Sequence, residues 1–202
     1  MYIPSYFSAP AKETLLDILP AANFAQIITA DADGVPMASH LPTVYDPDKG
    51  EFGTIYAHVA RANPHWKLFK DRQTLIIFSG PHDYISPRFY ATTINVPTWN
   101  YVAVHAYGEP VLIEDPVAAA QILKRLTSDN EKDRSDPWDV SEVEEKRFSA
   151  MLKAIVVFEI PVTRMEAKAK LGQNKKSEDK QAVFDALQKT ELSDWQKSVL
   201  DE

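Results

Sequence analysis

A short segment after a predicted strand combines residue types that could bind an anion. In HVARANPHWK, residues 58–67, Asn63 stands at a favourable N-cap position for a helix and Pro64 at its first position. Free backbone amides at a helix start carry partial positive charge, and Arg61 and Lys67 would add full charges beside them. The segment predicts a phosphate site. The alternative is that Asn63 only caps a helix and that both cations are solvated.

A second segment, residues 84–101, places aromatic rings beside small polar side chains in a stretch broken by prolines. Its aromatic residues are Tyr84, Phe89, Tyr90, Trp99 and Tyr101, and its polar residues include Ser86, Thr98 and Asn100. Rings with polar edges suit a planar, partly polar ligand or a subunit interface. Core packing is the better explanation of Phe89 and Tyr101, whereas both interpretations stay open for Trp99.

Missing residues and motifs exclude several kinds of chemistry. The chain has no cysteine, which removes disulfides, thiolate catalysis and cysteine-bound metals. It has five histidines but neither an HExxH string nor a histidine pair at short helical spacing, so we expect no metal site. The strings GxSxG and GxGxxG and a P-loop are also absent, which argues against serine hydrolase, Rossmann and NTPase functions.

Charge and hydropathy restrict the partners and the location. The formal net charge is -7, and the only Lys-rich run, residues 170–176, is short, so the composition argues against nucleic-acid binding. The N-terminus has no basic stretch followed by an apolar run, and no segment of about 18 apolar residues occurs. We therefore expect no membrane association and a cytoplasmic location.

The elements that must position these residues are mostly strands. Alternating or β-rich patterns predict strands at 24–30, 35–45, 53–60, 73–80, 101–113 and 153–169. Helical spacing predicts helices at 11–19, where Pro20 would end the helix, in a short stretch near 62–71, and at 115–129, 140–152 and 179–189. Short turns between most strands indicate a mainly β, α+β fold: an antiparallel barrel with flanking helices.

Six stretches together resemble the PaiB-like family of FMN-binding negative transcriptional regulators. They are MYIPSYF at the start, MASHLP (37–42), HVARANPHWK (58–67), YISPRFY (84–90), VPTWNYVAVHAYG (96–108) and KLGQNKK (170–176). The resemblance covers nearly the whole chain and implies a split antiparallel β-barrel of the flavin-reductase type. The expected organisation is an FMN-binding barrel at 1–169 with a helical insertion near 115–152, and a C-terminal loop and helix at 170–202 docked on the barrel.

The resemblance also implies FMN as cofactor, bound at the interface of a homodimer. In that arrangement Ser39 and His40 would run along the isoalloxazine ring, and Trp99 and Asn100 would approach from the other subunit. The ribityl-phosphate end would be lined by His58, Arg61, Asn63 and Lys67. The expected cofactor residues also include Tyr84, Ser86 and Thr98.

Different functions remain compatible with these residues. Bound flavin could serve a flavin-dependent oxidoreductase or a redox sensor, or it could be sensory in a regulator that contacts DNA or another protein. DNA binding follows only from the family resemblance, because neither the charge nor a helix-turn-helix pattern supports it. A haem-binding split barrel, with His40 or His105 as iron ligand, is a third interpretation. The sequence singles out no catalytic acid or base.

Overall fold

The computed structural model describes residues 1–188 and 190–200. The strands are β1 (Ser8–Ala9), β2 (Phe24–Ala30), β3 (Pro36–Pro42), β4 (Val44–Asp46), β5 (Thr54–Ala60), β6 (Thr74–Ile85), β7 (Thr98–Gly108), β8 (Val111–Leu112) and β9 (Ile155–Lys170). The α-helices are α1 (Ala11–Ala22), α2 (Pro116–Glu131), α3 (Glu145–Lys153), α4 (Ser177–Leu187) and α5 (Ser193–Lys197). No helix in this described part is both long and apolar enough to cross a membrane.

The chain divides into two compact units, each with its own set of internal contacts. The central unit consists of Asn23–Ile77 and Ala106–Met165. The terminal unit consists of Met1–Ala22, Phe78–His105 and Glu166–Glu202. Three long strands, β6, β7 and β9, pass from one unit to the other along the chain.

Antiparallel pairing organises the strands. Their order is β3-β2-β6-β7-β9-β5-β4, and the short strands β1 and β8 also pair with β9. In the central unit, the β2–β3 hairpin sets Ile27 opposite Ser39, and the β5–β9 pair sets His58 opposite Val157. The predicted hairpin is confirmed. Its turn is closed by Asp31, whose Oδ1 accepts backbone hydrogen bonds from Asp33 and Val35.

Two strands predicted as continuous are broken. The predicted strand 35–45 divides at Thr43. The backbone N–H and the Oγ1 hydroxyl of Thr43 both donate to the carbonyl of Asn23. Strand β4 therefore leaves the hairpin and pairs with β5. The predicted strand 101–113 is interrupted between Gly108 and β8, where Pro110 lacks the N–H that a ladder needs. Gly108 is required there because an added Cβ would lie 2.3 Å from the carbonyl oxygen of Pro161.

The helices depart from prediction at their ends. Helix α1 continues through Pro20 to Ala22, and Pro20 lies on the exposed side of the last turn, where water can satisfy the carbonyl that proline leaves unpaired. The predicted helix 140–152 is a 3₁₀ turn, Val140–Glu142, followed by α3. Helix α4 corresponds to the prediction 179–189, whose last residue, Lys189, lies outside the described residues.

Each unit buries its own apolar side chains. The fully buried residues of the central unit include Ile27, Ile55, Phe69, Ile76, Phe158 and Ile160, and those of the terminal unit include Leu15, Phe78, Ile85, Leu171 and Leu192. In the central unit, the ring centroids of Phe69 and Phe158 are 4.7 Å apart, which packs the segment after β5 against β9. This packing fixes the position of the 58–67 segment.

Candidate functional site

The 58–67 segment forms a capped turn at the end of β5. Asn63 Oδ1 accepts a 3.0 Å hydrogen bond from the backbone N–H of His65, and Pro64 occupies the first position of the turn, as predicted. The helix itself is shorter than predicted, because Pro64–Leu68 is a five-residue 3₁₀ turn. Such a turn sums few peptide dipoles, so its start supplies little positive potential. Any anion bound here must therefore be held by charged side chains.

The Arg61 side chain is fixed by backbone carbonyls. Its Nε donates to the carbonyl of Lys153 and its Nη2 to that of Ile155, each at 2.7 Å. The backbone N–H of Arg61 donates to the carbonyl of Ala154, and its carbonyl accepts from the indole of Trp66. Arg61 thus connects the turn to the end of α3 and the start of β9. Its guanidinium remains exposed, held in one orientation.

Lys67 supplies the second positive charge of this segment. The side chain is exposed, and its Nζ lies 5.9 Å from the centroid of the Trp66 ring. No ion pair between Lys67 and a carboxylate occurs within residues 1–188 and 190–200. Its charge is therefore available to a ligand.

The half-buried cap residue Asn63 and the buried Ser39 and His65 form a polar cluster beneath the turn. Ser39 Oγ accepts a 3.1 Å hydrogen bond from Nδ2 of Asn63 and lies 2.9 Å from Nδ1 of His65. His65 is completely buried, and burial lowers the pKa of its imidazole below the ordinary value. Its Nε2 has no hydrogen-bond partner in the described part of the chain. The sequence did not single out His65, although its place two residues after an Asn-Pro cap was a usable signal.

The two histidines that were predicted to bind the cofactor, His40 and His58, differ in their surroundings. Burial lowers the pKa of His58, whose Nδ1 is buried without a partner among the described residues. His40 is exposed, with its ring centroid 6.1 Å from that of Phe24. Because neighbouring residues on a strand point to opposite faces, Ser39 is buried where His40 is exposed. A ligand on one face of β3 can contact only one of these two side chains.

The terminal unit exposes the aromatic residues predicted to bind a ligand. Tyr84 on β6 is 43% exposed and Trp99 on β7 is 54% exposed, and their ring centroids lie 6.0 Å apart in an edge-on arrangement. The ring centroid of His82 lies 6.3 Å from that of Trp99. These three side chains form an exposed aromatic surface rather than part of a core.

The remaining predicted residues are committed to contacts within the terminal unit. Ser86 Oγ accepts from the backbone N–H of Arg88 and caps a short turn, and Thr98 Oγ1 accepts from Nζ of Lys170. Asn100 is buried, and its Nδ2 donates a 3.0 Å hydrogen bond to Oε1 of Gln196. Gln196 in turn donates from Nε2 to the carbonyl of Leu171. The Asn100 amide nitrogen therefore joins β7 to α5.

The central unit provides two exposed cations and two buried imidazole nitrogens that have no partner among the described residues. The terminal unit provides an exposed aromatic surface. Within the described residues, no group of three or more His, Cys, Asp or Glu side chains could hold a metal ion. The exposed cations and the imidazole nitrogens of the central unit can pair with, and hydrogen-bond to, an anionic ligand.

Comparison with known proteins assigns the family. The family described as "Putative FMN-binding domain" matches residues 1–164, which include the whole 58–67 segment and the aromatic surface. The chain belongs to this family. "Protease synthase and sporulation protein PAI 2" of Bacillus subtilis (strain 168) is 37% identical over 194 residues, covering 95% of this chain and 91% of that protein. The resemblance to the PaiB-like family predicted from the sequence is confirmed.

A fungal protein is also similar to this chain in sequence, and two distant solved structures share its fold. The Saccharomyces cerevisiae (strain ATCC 204508 / S288c) protein YKL070W is 38% identical over 117 residues, covering 54% of this chain and 69% of that protein. The flavocytochrome Anf3 from Azotobacter vinelandii has a TM-score of 0.60 at 17% identity, covering 85% of this chain and 73% of its own. The FAD and heme binding protein from Mycobacterium smegmatis has a TM-score of 0.61 at 15% identity, covering 82% and 74%. The predicted α+β split-barrel fold with an antiparallel sheet is confirmed.

Proposed function

We propose that this chain binds FMN and holds it in a homodimer for a redox or sensory role. The observation that carries the proposal is the family match over residues 1–164. Supporting evidence comes from the 58–67 segment, where the two cations predicted for the phosphate are both exposed at one turn.

The residues of the central unit fit a phosphate in charge and in hydrogen-bonding capacity. Arg61 is held in one orientation by two carbonyls, so little side-chain entropy is lost when it binds an anion. Lys67 adds a second positive charge that no carboxylate in the described residues neutralises. The buried Nδ1 of His58 is a polar atom that has no partner in the described chain, which is the kind of group that a ligand can satisfy.

Bound FMN would supply electron transfer, and the protein would supply binding and orientation. Arg61 and Lys67 would hold the phosphate, and the Ser39–Asn63–His65 cluster would fix the turn that carries them. The predicted contributions of His40, Tyr84, Ser86, Thr98, Trp99 and Asn100 remain proposals.

The homodimer is supported by apolar side chains exposed on the terminal unit. Ile94 is 95% exposed and Val96 is 71% exposed, close in sequence to the exposed Trp99. Large exposed apolar side chains concentrated in one short segment favour a protein interface. A second copy of the chain is the partner that the family resemblance implies.

A redox or sensory role is preferred to direct DNA recognition because of the charge. At a net charge of -7, the chain gains little from phosphate contacts, which contribute most of the affinity in protein–DNA complexes. The molecule that exchanges electrons with the flavin decides whether the role is an enzymatic reaction or a signal.

The test is the absorption spectrum of purified protein that has been incubated with FMN and then desalted. We expect flavin bands at about one FMN per chain, and release of free FMN when the protein is denatured. A haem spectrum would favour the haem-binding alternative. An FMN concentration of about 0.1 mM is well above the dissociation constants of ordinary cofactors. A protein that carries no flavin after incubation at this concentration would contradict the proposal.

A further inference from the structure

A cavity of about 410 Å³ lies within the central unit, between helix α2 and residues of β4, β5, β8 and β9. We call it the α2 cavity. Its volume falls in the range of about 300 to 1,000 Å³ that is usual for small-molecule sites. Its lining residues are all different from those assigned above to the flavin.

Strand register brings the sheet side of the α2 cavity together. Val44 on β4 lies opposite Tyr56 on β5, Tyr56 lies opposite Glu159 on β9, and Glu159 lies opposite Val111 on β8. Directly opposed residues of antiparallel strands share one face of the sheet, with Cβ atoms about 4.5 to 5.5 Å apart. The row therefore places a phenol and a carboxylate between two apolar side chains.

Helix α2 forms the opposite wall of the cavity. Ala118, Ile122 and Arg125 follow one another at spacings of four and three residues, so they lie on one face of the helix. The Arg125 side chain reaches the sheet, where its Nη2 donates a 2.9 Å hydrogen bond to the carbonyl of Tyr45. The helix thus presents an apolar side chain and a guanidinium to the cavity.

Glu159 supplies a carboxylate that can accept a further hydrogen bond. Its Oε2 accepts a 2.6 Å hydrogen bond from Nζ of Lys49, which lies in the turn after β4. Its Oε1 has no hydrogen-bond partner in residues 1–188 and 190–200. A ligand ammonium group in the cavity can therefore donate to Oε1 while Lys49 keeps Oε2.

Arg125 supplies a guanidinium whose donors are only partly used. Its Nη1 lies 4.0 Å from Oδ2 of Asp46, and its Nε lies 3.9 Å from Oδ2 of Asp129. Both distances exceed the length of a hydrogen bond. Within the part of the chain that the structure describes, these two nitrogens attract carboxylates without bonding to them. A ligand carboxylate in the cavity can provide the hydrogen bonds that they lack.

The charges around the cavity are of both signs. Lys49, Arg125 and Glu159 are the charged residues of its wall, and Asp46 and Asp129 lie beside Arg125. A ligand with only a negative charge would be repelled by the carboxylates, and one with only a positive charge would be repelled by the two cations. A ligand that carries one charge of each sign fits both sets of groups.

The rest of the wall is apolar and includes exposed side chains. Val111 is 52% exposed and Leu112 is 36% exposed on β8, and Val44 and Ile122 complete this part of the wall. Apolar area left open to water inside a cavity favours a ligand with an apolar group.

We propose that the α2 cavity binds an apolar α-amino acid. Its carboxylate pairs with Arg125, its ammonium group donates to Glu159, and its side chain packs against Leu112 and Ile122. The site goes beyond FMN binding and does not rest on it.

Isothermal titration calorimetry on the purified full chain tests the proposal with three probes that share one apolar group. L-leucine carries both charges, 4-methylpentanoate lacks the ammonium group, and 3-methylbutylamine lacks the carboxylate. We expect L-leucine to bind at least about tenfold more tightly than either analogue, because each analogue loses one charge-assisted hydrogen bond.

Substitutions at the two charged residues assign the two ends of the ligand. Arg125→Gln should lower the affinity for L-leucine at least about tenfold and leave 3-methylbutylamine unchanged. Glu159→Gln should lower the affinity for L-leucine by a similar factor and should not lower that for 4-methylpentanoate. The midpoint of urea unfolding shows that each variant is folded.

The matched control is Lys124→Gln, which removes an exposed cation from the neighbouring position of α2, outside the cavity wall. It should leave the affinity for L-leucine unchanged. Equal affinities for the three probes, or an affinity for L-leucine that neither Arg125→Gln nor Glu159→Gln lowers, would overturn the proposal. Failure of L-leucine, L-methionine and L-phenylalanine to bind at about 10 mM would also overturn it.

Uptake of FMN is measured on the same samples. Arg125→Gln and Glu159→Gln should leave FMN uptake unchanged, and loss of uptake in a folded variant would assign the cavity to the flavin instead of an amino acid. Binding of L-leucine by a protein that takes up no FMN would contradict the proposed function alone. Uptake of FMN without binding of any of the three amino acids would contradict this inference alone.

Discussion

Ser39 Oγ lies 2.9 Å from Nδ1 of His65 in the interior of the central unit. The contact joins strand β3 to the turn that follows β5, and Asn63 donates to the same oxygen. The proposed phosphate residues Arg61 and Lys67 are therefore carried by a turn whose position depends on a buried, neutral imidazole.

The first prediction concerns stability at acid pH. Burial lowers the pKa of His65 below the ordinary value of 6.5. At pH values between the lowered pKa and about 6.5, the unfolded chain therefore binds a proton at His65 and the folded chain does not. This contribution is fully present above about pH 6.5 and is lost as the pH falls toward the lowered pKa. The free energy of unfolding should fall by at most about 1.4 kcal/mol per pH unit for this group.

Urea unfolding between about pH 8 and about pH 5 measures this dependence. His65→Asn should reduce the slope below pH 6.5. Burial also lowers the pKa of His58, so part of the slope should persist in His65→Asn. A slope identical in the wild type and His65→Asn would show that His65 does not titrate as proposed.

The second prediction separates the two hydrogen bonds of Asn63. Asn63→Ala removes both the cap to His65 N–H and the donor to Ser39, and it should cost about 1 to 2 kcal/mol in the free energy of unfolding. Asn63→Asp keeps the cap acceptor and loses only the donor, so it should cost less. Equal loss in the two variants, measured by urea unfolding at neutral pH, would indicate that the cap contributes nothing.

Much of the turn was predictable from local sequence, whereas its supporting contacts were not. The cap of Asn63 and the following Pro64 are local features that act within three residues. The Ser39–His65 contact spans 26 residues, and the Asn100–Gln196 contact spans 96. Such contacts depend on strand register and on the packing of the tail, which no local pattern specifies.

Strand ends were mispredicted for the same physical reason. The residues from 35 to 45 have the β-rich composition of one strand, yet Thr43 bonds to the carbonyl of Asn23 and redirects the chain to another partner strand. The aromatic composition of 84–101 indicated a ligand or an interface. It could not reveal that Asn100 would be buried against Gln196 while its neighbour Trp99 is exposed.

The third prediction tests the dimer. Sedimentation equilibrium should give about twice the mass of one chain at micromolar concentration, since stable homodimer interfaces commonly bury about 2,000 Å² or more. Trp99→Ala should weaken both dimerisation and flavin retention. The matched control is Trp138→Ala, which truncates an exposed indole that lies in the central unit. It should change neither dimerisation nor flavin retention. A wild-type monomer with FMN bound would refute a site that depends on two copies.

The fourth prediction is that isolated protein binds DNA only weakly and without sequence preference. With a net charge of -7 and one short Lys-rich run at 170–176, we expect dissociation constants weaker than about 1 μM that rise steeply with salt. Fluorescence anisotropy on a genomic fragment library, with and without FMN, is the measurement. A nanomolar, sequence-selective complex at physiological salt would instead support the regulatory function, and Lys175→Ala with Lys176→Ala would be the first variant to examine.

Parallel fluorescence titrations with FMN and riboflavin measure whether the 58–67 segment holds the phosphate of FMN. Lys67→Ala should weaken FMN binding about tenfold and leave riboflavin unchanged, whereas Lys70→Ala, at an exposed neighbour, should affect neither. Arg61→Ala with Lys67→Ala should weaken FMN by at least about a hundredfold and riboflavin far less. FMN affinity should therefore fall selectively. An equal loss for both ligands, or no loss for either, would contradict it.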